Sequence, residues 1–186
     1  MIKKSDDIII MGIDPGTNIT GYGIIKVQKK NIELIDLIEF KLSKNDDHSL
    51  KLSNIFKKTT EIINKYSPDQ VAIESPFFGK NVQSMLKLGR AQGVSMAAAL
   101  NHEIPITEYS PKKIKMSITG NGNSTKEQVA KMLKSMLDIK EMPKNLDSTD
   151  GLAAAVCHYF NLNNSNSKKQ FSNWSSFIKK NPDKIN

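Results

Sequence analysis

The sequence contains few of the features that mark secreted or membrane proteins. Its 186 residues include a single cysteine, Cys157, which excludes an intramolecular disulfide framework and suits a reducing compartment. No apolar run approaches the roughly 18 residues that are needed to cross a bilayer. The apolar run at residues 8–13 is also too short for a signal peptide. We therefore expect a soluble, cytoplasmic protein with no membrane partner.

Arginine is almost absent as well, although the chain is basic. Lysine and arginine total 27 against 19 aspartates and glutamates, a net charge of +8, and Arg90 is the one arginine. Residues 75–146 hold 11 basic and 5 acidic side chains, whereas residues 1–74 are neutral. Lysine contacts phosphate as a point charge and does not form the bidentate base contacts of arginine. The charge therefore favours binding to the backbone of a polyanion, with solvated lysines on helix faces as the alternative.

Hydrophobic periodicity predicts an α/β fold. Apolar and β-branched runs predict strands at residues 8–13, 20–27, 32–42, 71–73 and 105–109. Helical spacing predicts helices at residues 51–66, at 81–101, from Ser110-Pro111, from a Ser124/Glu127 capping box through residue 137, and at 147–161. Strands before the first helix, followed by alternating strands and helices, predict a mixed sheet with helices on its faces.

The C-terminal part of the chain differs in composition from the rest. We predict one domain over residues 1–162 and a basic, polar tail over residues 163–186. Residues 163–169 are low in complexity, which is typical of a linker. The apolar residues that follow have helical spacing, which predicts a short helix docked on the domain, with a disordered tail as the alternative. These residues are Phe171, Trp174, Phe177 and Ile178.

Four carboxylates occupy positions that would hold them rigidly. Asp14 and Glu74 each end a predicted strand, and we expect the small neighbours Gly12 and Ala72 to leave room beside them. The other two lie at i and i+3 on one face of the last predicted helix, and they are Asp147 and Asp150. Carboxylate oxygens are preferred ligands of Mg²⁺ and Mn²⁺. A pair of such ions about 4 Å apart can activate water and stabilise the leaving oxygen of a phosphodiester.

Each of these acids also has a structural interpretation. Asp14 could shape the turn before Pro15, and Asp147 could cap its helix. Asp150, just inside the same helix, would complement the helix macrodipole. Glu74 is harder to explain in this way, because the loop that follows it needs no acid. The residues by themselves leave both interpretations open.

The acids lie within ordered motifs that resemble the RuvC-type Holliday-junction resolvases. In chain order these motifs are GIDPGT at residues 12–17, TGYG at 20–23, AIE at 72–74, LKLGRAQG at 86–93 and DSTDGLA at 147–153. The match spans about residues 8–160, nearly the whole predicted domain. The first motif also resembles the opening of other ribonuclease-H-like and actin-like ATPase folds. The ordered set, rather than any one motif, therefore carries the resemblance.

The resemblance implies a fold, an activity and partners. The implied fold is a ribonuclease-H-like mixed five-stranded sheet with helices on both faces. The implied activity is that of a homodimeric endonuclease, which resolves four-way (Holliday) DNA junctions by paired symmetric nicks in recombination and DNA repair. Cooperation with a branch-migration helicase complex is implied by the resemblance alone. The implied cofactor is Mg²⁺, two ions per site with Mn²⁺ able to substitute, and the implied ligands are Asp14, Glu74, Asp147 and Asp150.

DNA contacts are also implied by the resemblance. Phe77 matches an aromatic that stacks on bases at the junction centre, a contact worth about 1–3 kcal/mol per base. Lys115 and Lys126 match positions that engage phosphates near the scissile bond. We add Lys112 and Lys113 as further backbone contacts. The glycine-rich residues 120–123 predict a mobile loop that lets the backbone approach DNA.

Two further features belong to the predicted helices. Gly89, Gly93 and Ala97 recur every four residues and form a flat strip. This strip predicts either close packing on the sheet or a two-fold dimer contact, and the resemblance favours the dimer. His158 lies two turns beyond Asp150 on the same helix face, and we predict that it is a structural histidine rather than a ligand.

Other functional classes remain for comparison. A sugar-kinase or heat-shock-type ATPase would need a duplicated fold and a second glycine-rich phosphate loop, and the sequence contains neither. A junction-binding module without catalysis would not need all four acids. A ribonuclease-H-like nuclease that acts on RNA, or on another branched structure, is not excluded by the residues. The resemblance alone ranks the four-way junction first.

Overall fold

The computed structural model describes residues 7–29, 31–76, 81–141 and 146–168. The strands are β1 (Asp7–Asp14), β2 (Ile19–Gln28), β3 (Asn31–Lys41), β4 (Gln70–Glu74) and β5 (Ile106–Tyr109). The helices are α1 (His48–Tyr66), α2 (Val82–Leu100), α3 (Pro111–Thr119), α4 (Lys126–Met136) and α5 (Asp147–Lys168). Every strand and helix predicted within these ranges is present. None of the helices in the described ranges is long and apolar enough to span a membrane.

The strands form one mixed sheet in the order β3-β2-β1-β4-β5. β1, β2 and β3 are antiparallel neighbours, whereas β4 pairs in parallel with both β1 and β5. The predicted mixed five-stranded sheet is thus confirmed. In the β1–β4 register Ile13 lies beside Ile73. The next residues, Asp14 and Glu74, therefore end adjacent parallel strands at the same edge of the sheet.

Side chains alternate between the two faces of the sheet, and each face carries helices. On one face, Ile10, Ile25 and Ala72 pack in a core with residues of α3, α4 and α5. On the other face, Met11 and Ile24 pack with residues of α1 and α2. The prediction of helices on both faces is therefore confirmed, and the sheet is enclosed between two apolar layers.

The N-terminal caps explain why α1 and α4 begin at residues other than those predicted from the sequence. α1 begins three residues earlier than predicted, because the Asp47 carboxylate accepts a hydrogen bond from the Leu50 amide at 2.7 Å. The predicted Ser124/Glu127 capping box is wrong by one residue. Thr125 is the N-cap, and its amide donates to the side chain of Gln128 at 2.9 Å. Ser124 is buried and hydrogen-bonded to Thr119 instead, at 2.8 Å.

The last helix extends beyond the predicted domain boundary. α5 runs to Lys168, so the backbone of residues 163–168 is helical where the sequence predicts a linker. Residues 169–186, with the apolar residues of the predicted tail helix, lie outside the described residues. The division into a domain and a tail stays a prediction.

Glycines on β1 and β2 allow the backbone of α5 to lie directly against the backbone of the sheet. A Cβ atom at Gly12 would lie 2.0 Å from the carbonyl oxygen of Gly151 and 2.5 Å from the amide nitrogen of Ala155. A Cβ atom at Gly23 would lie 2.3 Å from the Cα of Leu152. The space beside Gly12, which the sequence analysis assigned to the strand-end acids, is thus filled by α5. This contact brings the first turn of α5 to the carboxyl end of β1.

Candidate active site

A cleft of about 720 Å³ opens at the carboxyl edge of the parallel strands. Its acidic lining comes from three elements: Asp14 at the end of β1, Glu74 at the end of β4 and Asp150 in the first turn of α5. The structure therefore brings together three of the four acids singled out by the sequence. The backbone of Asp147 begins α5, but its side chain lies outside the described part of the chain.

The environment of Glu74 raises its proton affinity. Burial, followed by the negative charges of Asp14 and Asp150, holds the pKa of Glu74 well above its ordinary value. The positive charges of Lys126 and Lys115 act in the opposite direction. A partly buried cluster of carboxylates is costly unless a cation or a proton compensates it. All of these donors are hard oxygens, so the chemistry of the set fits Mg²⁺ or Mn²⁺.

The acidic cluster has a lysine in direct contact with one of its carboxylates. The Lys126 ammonium lies 2.5 Å from the Asp150 carboxylate, with the aspartate side chain 16% exposed and the lysine side chain 51% exposed. As the described side chains stand, no three of His, Cys, Asp or Glu form a group that could hold a metal ion. Whether the acids hold metal stays a prediction.

The predicted phosphate contacts do not all reach the cleft. Lys112, Lys115 and Lys126 line it. Lys113 is exposed on another face of α3, and its charge is felt at the Cys157 thiol rather than at the acids. Helical periodicity contains this signal, because residues 112 and 115 share a face that residue 113 does not. Phe77 lies outside the described residues, so its stacking role stays a prediction.

The glycine-rich residues 120–123 form a hydrogen-bonded turn. The Asn121 side chain accepts from the Asn123 amide at 3.0 Å, and the Thr119 hydroxyl accepts from the Asn121 amide at 3.2 Å. Gly120 has a φ of 74° and caps α3. A Cβ atom at Gly122 would lie 2.6 Å from Cγ of Lys112. Gly122 therefore makes room for the side chain of Lys112, which lines the cleft. From the sequence, the glycines of this loop are predicted to make room for DNA.

A second cleft, of about 460 Å³, adjoins the first and shares Leu88 with it. Lys51 from α1 and Lys87 from α2 line this cleft. In the described ranges neither lysine forms an ion pair. Neither lysine is predicted as a site residue from the sequence, because no local pattern relates positions on two different helices.

His158 is a structural residue, as predicted. Its side chain is buried, with Nδ1 hydrogen-bonded to the Tyr109 hydroxyl at 2.8 Å and Nε2 to the Gln70 side chain at 2.5 Å. These bonds join α5 to β5 and β4. They therefore anchor the helix that carries Asp150 to the strands next to it.

Burial lowers the pKa of His158, which makes folding stability depend on pH. At pH values below about 6.5, the ordinary pKa of histidine, His158 is protonated in the unfolded chain but stays neutral in the native chain. The contribution of His158 to the free energy of unfolding is therefore fully present above that pH and decreases as the pH falls. When urea unfolding is measured from about pH 7 down to about pH 5, the free energy of unfolding should decrease by up to about 1.4 kcal/mol per pH unit because of this group. His158→Gln removes the titrating group, so the stability difference between wild type and variant should shrink at low pH. A difference that is constant across the range would contradict this assignment.

The Gly89/Gly93 strip does not pack on the sheet. A Cβ atom at either glycine would meet nothing within 4 Å. Of the two interpretations offered by the sequence, close packing on the sheet is therefore wrong. The dimer contact stays a prediction.

Comparison with known proteins identifies the family. The model of the family described as crossover junction endodeoxyribonuclease RuvC matches residues 10–158. This range includes the whole sheet apart from its first three described residues, and it contains all four acids. The chain belongs to this family. It is accordingly an endodeoxyribonuclease, and the resemblance seen in the motifs is confirmed.

Relatives of the RuvC family match over almost the entire chain. The crossover junction endodeoxyribonuclease RuvC of Christiangramia forsetii is 62% identical over 99% of this chain and 95% of its own. That of Bacteroides fragilis is 54% identical over 100% of both chains. A solved structure described as T. thermophilus RuvC in complex with Holliday junction substrate superimposes with a TM-score of 0.78 at 29% identity, covering 83% of this chain and 94% of that one.

Proposed function

We propose that this endonuclease resolves four-way DNA junctions by paired symmetric nicks, using divalent metal ions. One observation carries the proposal: Asp14, Glu74 and Asp150 converge from three distant parts of the chain in one lysine-lined cleft. Membership of the RuvC family supports the substrate. The T. thermophilus relative, solved with a Holliday junction substrate, supports it further.

The proposed metal ligands are Asp14, Glu74, Asp147 and Asp150, and the proposed ions are two Mg²⁺, which Mn²⁺ can replace. Bound divalent ions supply Lewis acidity for activating water and for stabilising the leaving oxygen. Asp14 and Glu74 end adjacent strands, so the sheet sets the spacing of their carboxylates. Asp150 is placed by α5, whose glycine contacts fix it against β1. The chain itself thus orients the oxygen donors before any ligand arrives.

The lysines of the cleft are proposed to bind DNA phosphates. Lys112, Lys115 and Lys126 line the same space as the acids, and they would place a phosphodiester beside the carboxylates. Lys51 and Lys87 would extend the contact along the strand. Each phosphate that a lysine neutralises steepens the dependence of affinity on salt. Phe77 is retained as the proposed stacking residue, whereas the exposed Lys113 would contact only DNA that passes outside the cleft.

The proposed assembly is a homodimer. A four-way junction offers two equivalent strands for cleavage, and a two-fold dimer supplies two equivalent sites. The open Gly89/Gly93 strip on α2 supports this, because no residue of the described chain covers it. A branch-migration helicase partner is proposed on family resemblance alone. The buried free thiol of Cys157 suits the proposed cytoplasmic location.

Cleavage of three labelled substrates tests the proposal: a synthetic four-way junction, a linear duplex of the same arms and an RNA–DNA hybrid. With Mg²⁺ we expect paired nicks in the junction and no cutting of the duplex or the hybrid. EDTA should abolish cleavage. Preferential cutting of the hybrid would instead support a ribonuclease acting on RNA. Binding of the junction without any cleavage would support a non-catalytic junction-binding module.

A further inference from the structure

Lys126 and Asp150 form the ion pair at the centre of the acidic cluster. Lys126 is the first residue of α4 and Asp150 lies in the first turn of α5, so the 2.5 Å contact joins two helices across the cleft. Half of the lysine side chain is exposed, whereas the aspartate is largely buried. The carboxylate is therefore held in place by its helix, while the ammonium lies on a flexible stem that can reach other partners.

Both members of this pair have a second proposed partner. Asp150 is a proposed ligand of a divalent cation, and Lys126 is a proposed contact of a DNA phosphate. The ammonium and a divalent cation repel each other at one carboxylate, so each weakens the binding of the other. A phosphate in the cleft attracts the ammonium and repels the carboxylate. Either ligand therefore disfavours the ion pair between Lys126 and Asp150.

We infer that Lys126 occupies Asp150 in the free enzyme and leaves it for a DNA phosphate, so that junction binding and divalent-cation binding strengthen each other. The inference rests on the proposed function, which assigns Asp150 to the metal and Lys126 to DNA. Coupling between two ligands is reciprocal: the factor by which DNA tightens cation binding equals the factor by which the cation tightens DNA binding. Without DNA the lysine suppresses cation binding, and thus limits the metal-loaded enzyme that is free to attack other DNA.

Lys115 provides a matched control for simple electrostatics. It also lines the cleft, and its charge, like that of Lys126, lowers the pKa of Glu74. In the described part of the chain, however, Lys115 pairs with no carboxylate. Neutralising either lysine removes one positive charge near the acids, but only Lys126→Gln also removes the ion pair with Asp150.

Calorimetric titration of Mn²⁺ into the DNA-free protein is the first test. Lys126→Gln should bind Mn²⁺ about fivefold or more tightly than wild type, in the usual range of coupling between sites. Lys115→Gln should change the affinity by less than about twofold, because Lys115 forms no ion pair with a proposed ligand of the cation within the described residues. Lys126→Arg retains the cation and should bind Mn²⁺ as weakly as wild type. Asp150→Asn should bind Mn²⁺ more weakly than wild type.

Junction binding by fluorescence anisotropy is the second test, with Ca²⁺ or EDTA in the buffer. In wild type, Ca²⁺ should tighten junction binding, and the enhancement should be about fivefold larger than in Lys126→Gln. Any direct contribution of the metal to DNA binding would be the same in both proteins, so the difference between the two enhancements isolates the lysine. Equal enhancements would overturn the inference.

The two titrations also separate this inference from the proposed function. If Asp150→Asn weakens Mn²⁺ binding but Lys126→Gln binds no more tightly than Lys115→Gln, the exchange is wrong and the ligand assignment stands. If Asp150→Asn leaves the Mn²⁺ affinity unchanged, the assignment of Asp150 as a ligand is overturned, and the inference with it.

Discussion

Asp14→Asn is expected to abolish cleavage of a four-way junction while leaving its binding intact. The substitution keeps the shape of the side chain at the end of β1 and removes one negative charge from the cleft. Loss of a metal ligand should cost several kcal/mol of transition-state stabilisation, or about a thousandfold in rate. Binding relies on lysine contacts with phosphates, so the junction affinity in EDTA should stay within about twofold of wild type or increase slightly.

Asp138→Asn is the matched control for this variant. Asp138 is exposed, lies outside the cleft and has a φ of 48°, a conformation that asparagine adopts readily. It makes the same change of charge without touching the acidic cluster, so single-turnover cleavage should match wild type. Equal losses of binding and cleavage in Asp14→Asn would contradict the assignment, as would cleavage at the wild-type rate.

Gly12→Ala is expected to have the largest effect on stability. The added Cβ atom would lie 2.0 Å and 2.5 Å from backbone atoms of Gly151 and Ala155, which cannot rotate away as a side chain could. Overpacking of this kind costs about 3 kcal/mol or more when the backbone itself must move. The displaced α5 also carries Asp150, so any folded variant should lose cleavage as well. Urea unfolding monitored by circular dichroism measures the first effect, and the junction assay measures the second.

Gly93→Ala is the control for the change from glycine to alanine. Gly93 lies inside α2, where a Cβ atom meets nothing, so the substitution should raise the free energy of unfolding by up to about 1 kcal/mol. If Gly12→Ala and Gly93→Ala unfold at the same urea concentration, the backbone contact between β1 and α5 is less tight than the structure indicates.

The sequence was sufficient to predict that Asp14 and Glu74 each end a strand. Each acid directly follows a buried apolar run, and the carboxyl ends of parallel strands lie at one edge of a sheet. The position of Asp150 beside these acids could not be predicted in the same way, because it depends on where α5 packs on the sheet. The sequence analysis predicts that Gly12 and Ala72 leave room for the acids. The partner that fills this room is Gly151, which is far along the chain and leaves no local pattern at Gly12.

Other differences arise where the sequence permits two local arrangements with the same spacing. Ser124 with Glu127, and Thr125 with Gln128, both satisfy the spacing of a capping box. The contact of Ser124 with Thr119 at the end of α3 decides between them. The pairing of Lys126 with Asp150 is similarly a product of the fold, since the residues are on separate helices. Side-chain partners across a cleft were thus less predictable than the strands and helices that bear them.

The two walls of the cleft are attached to the rest of the fold by different kinds of contact. At Gly12 and Gly23, backbone atoms of α5 lie directly against β1 and β2. The opposite wall, from α3 and α4, is anchored through the side chains of Ile114, Val129 and Leu133 and faces the cleft with long lysines. We therefore expect the lysine-bearing wall to adjust when a DNA strand enters, while the spacing of the acids is kept.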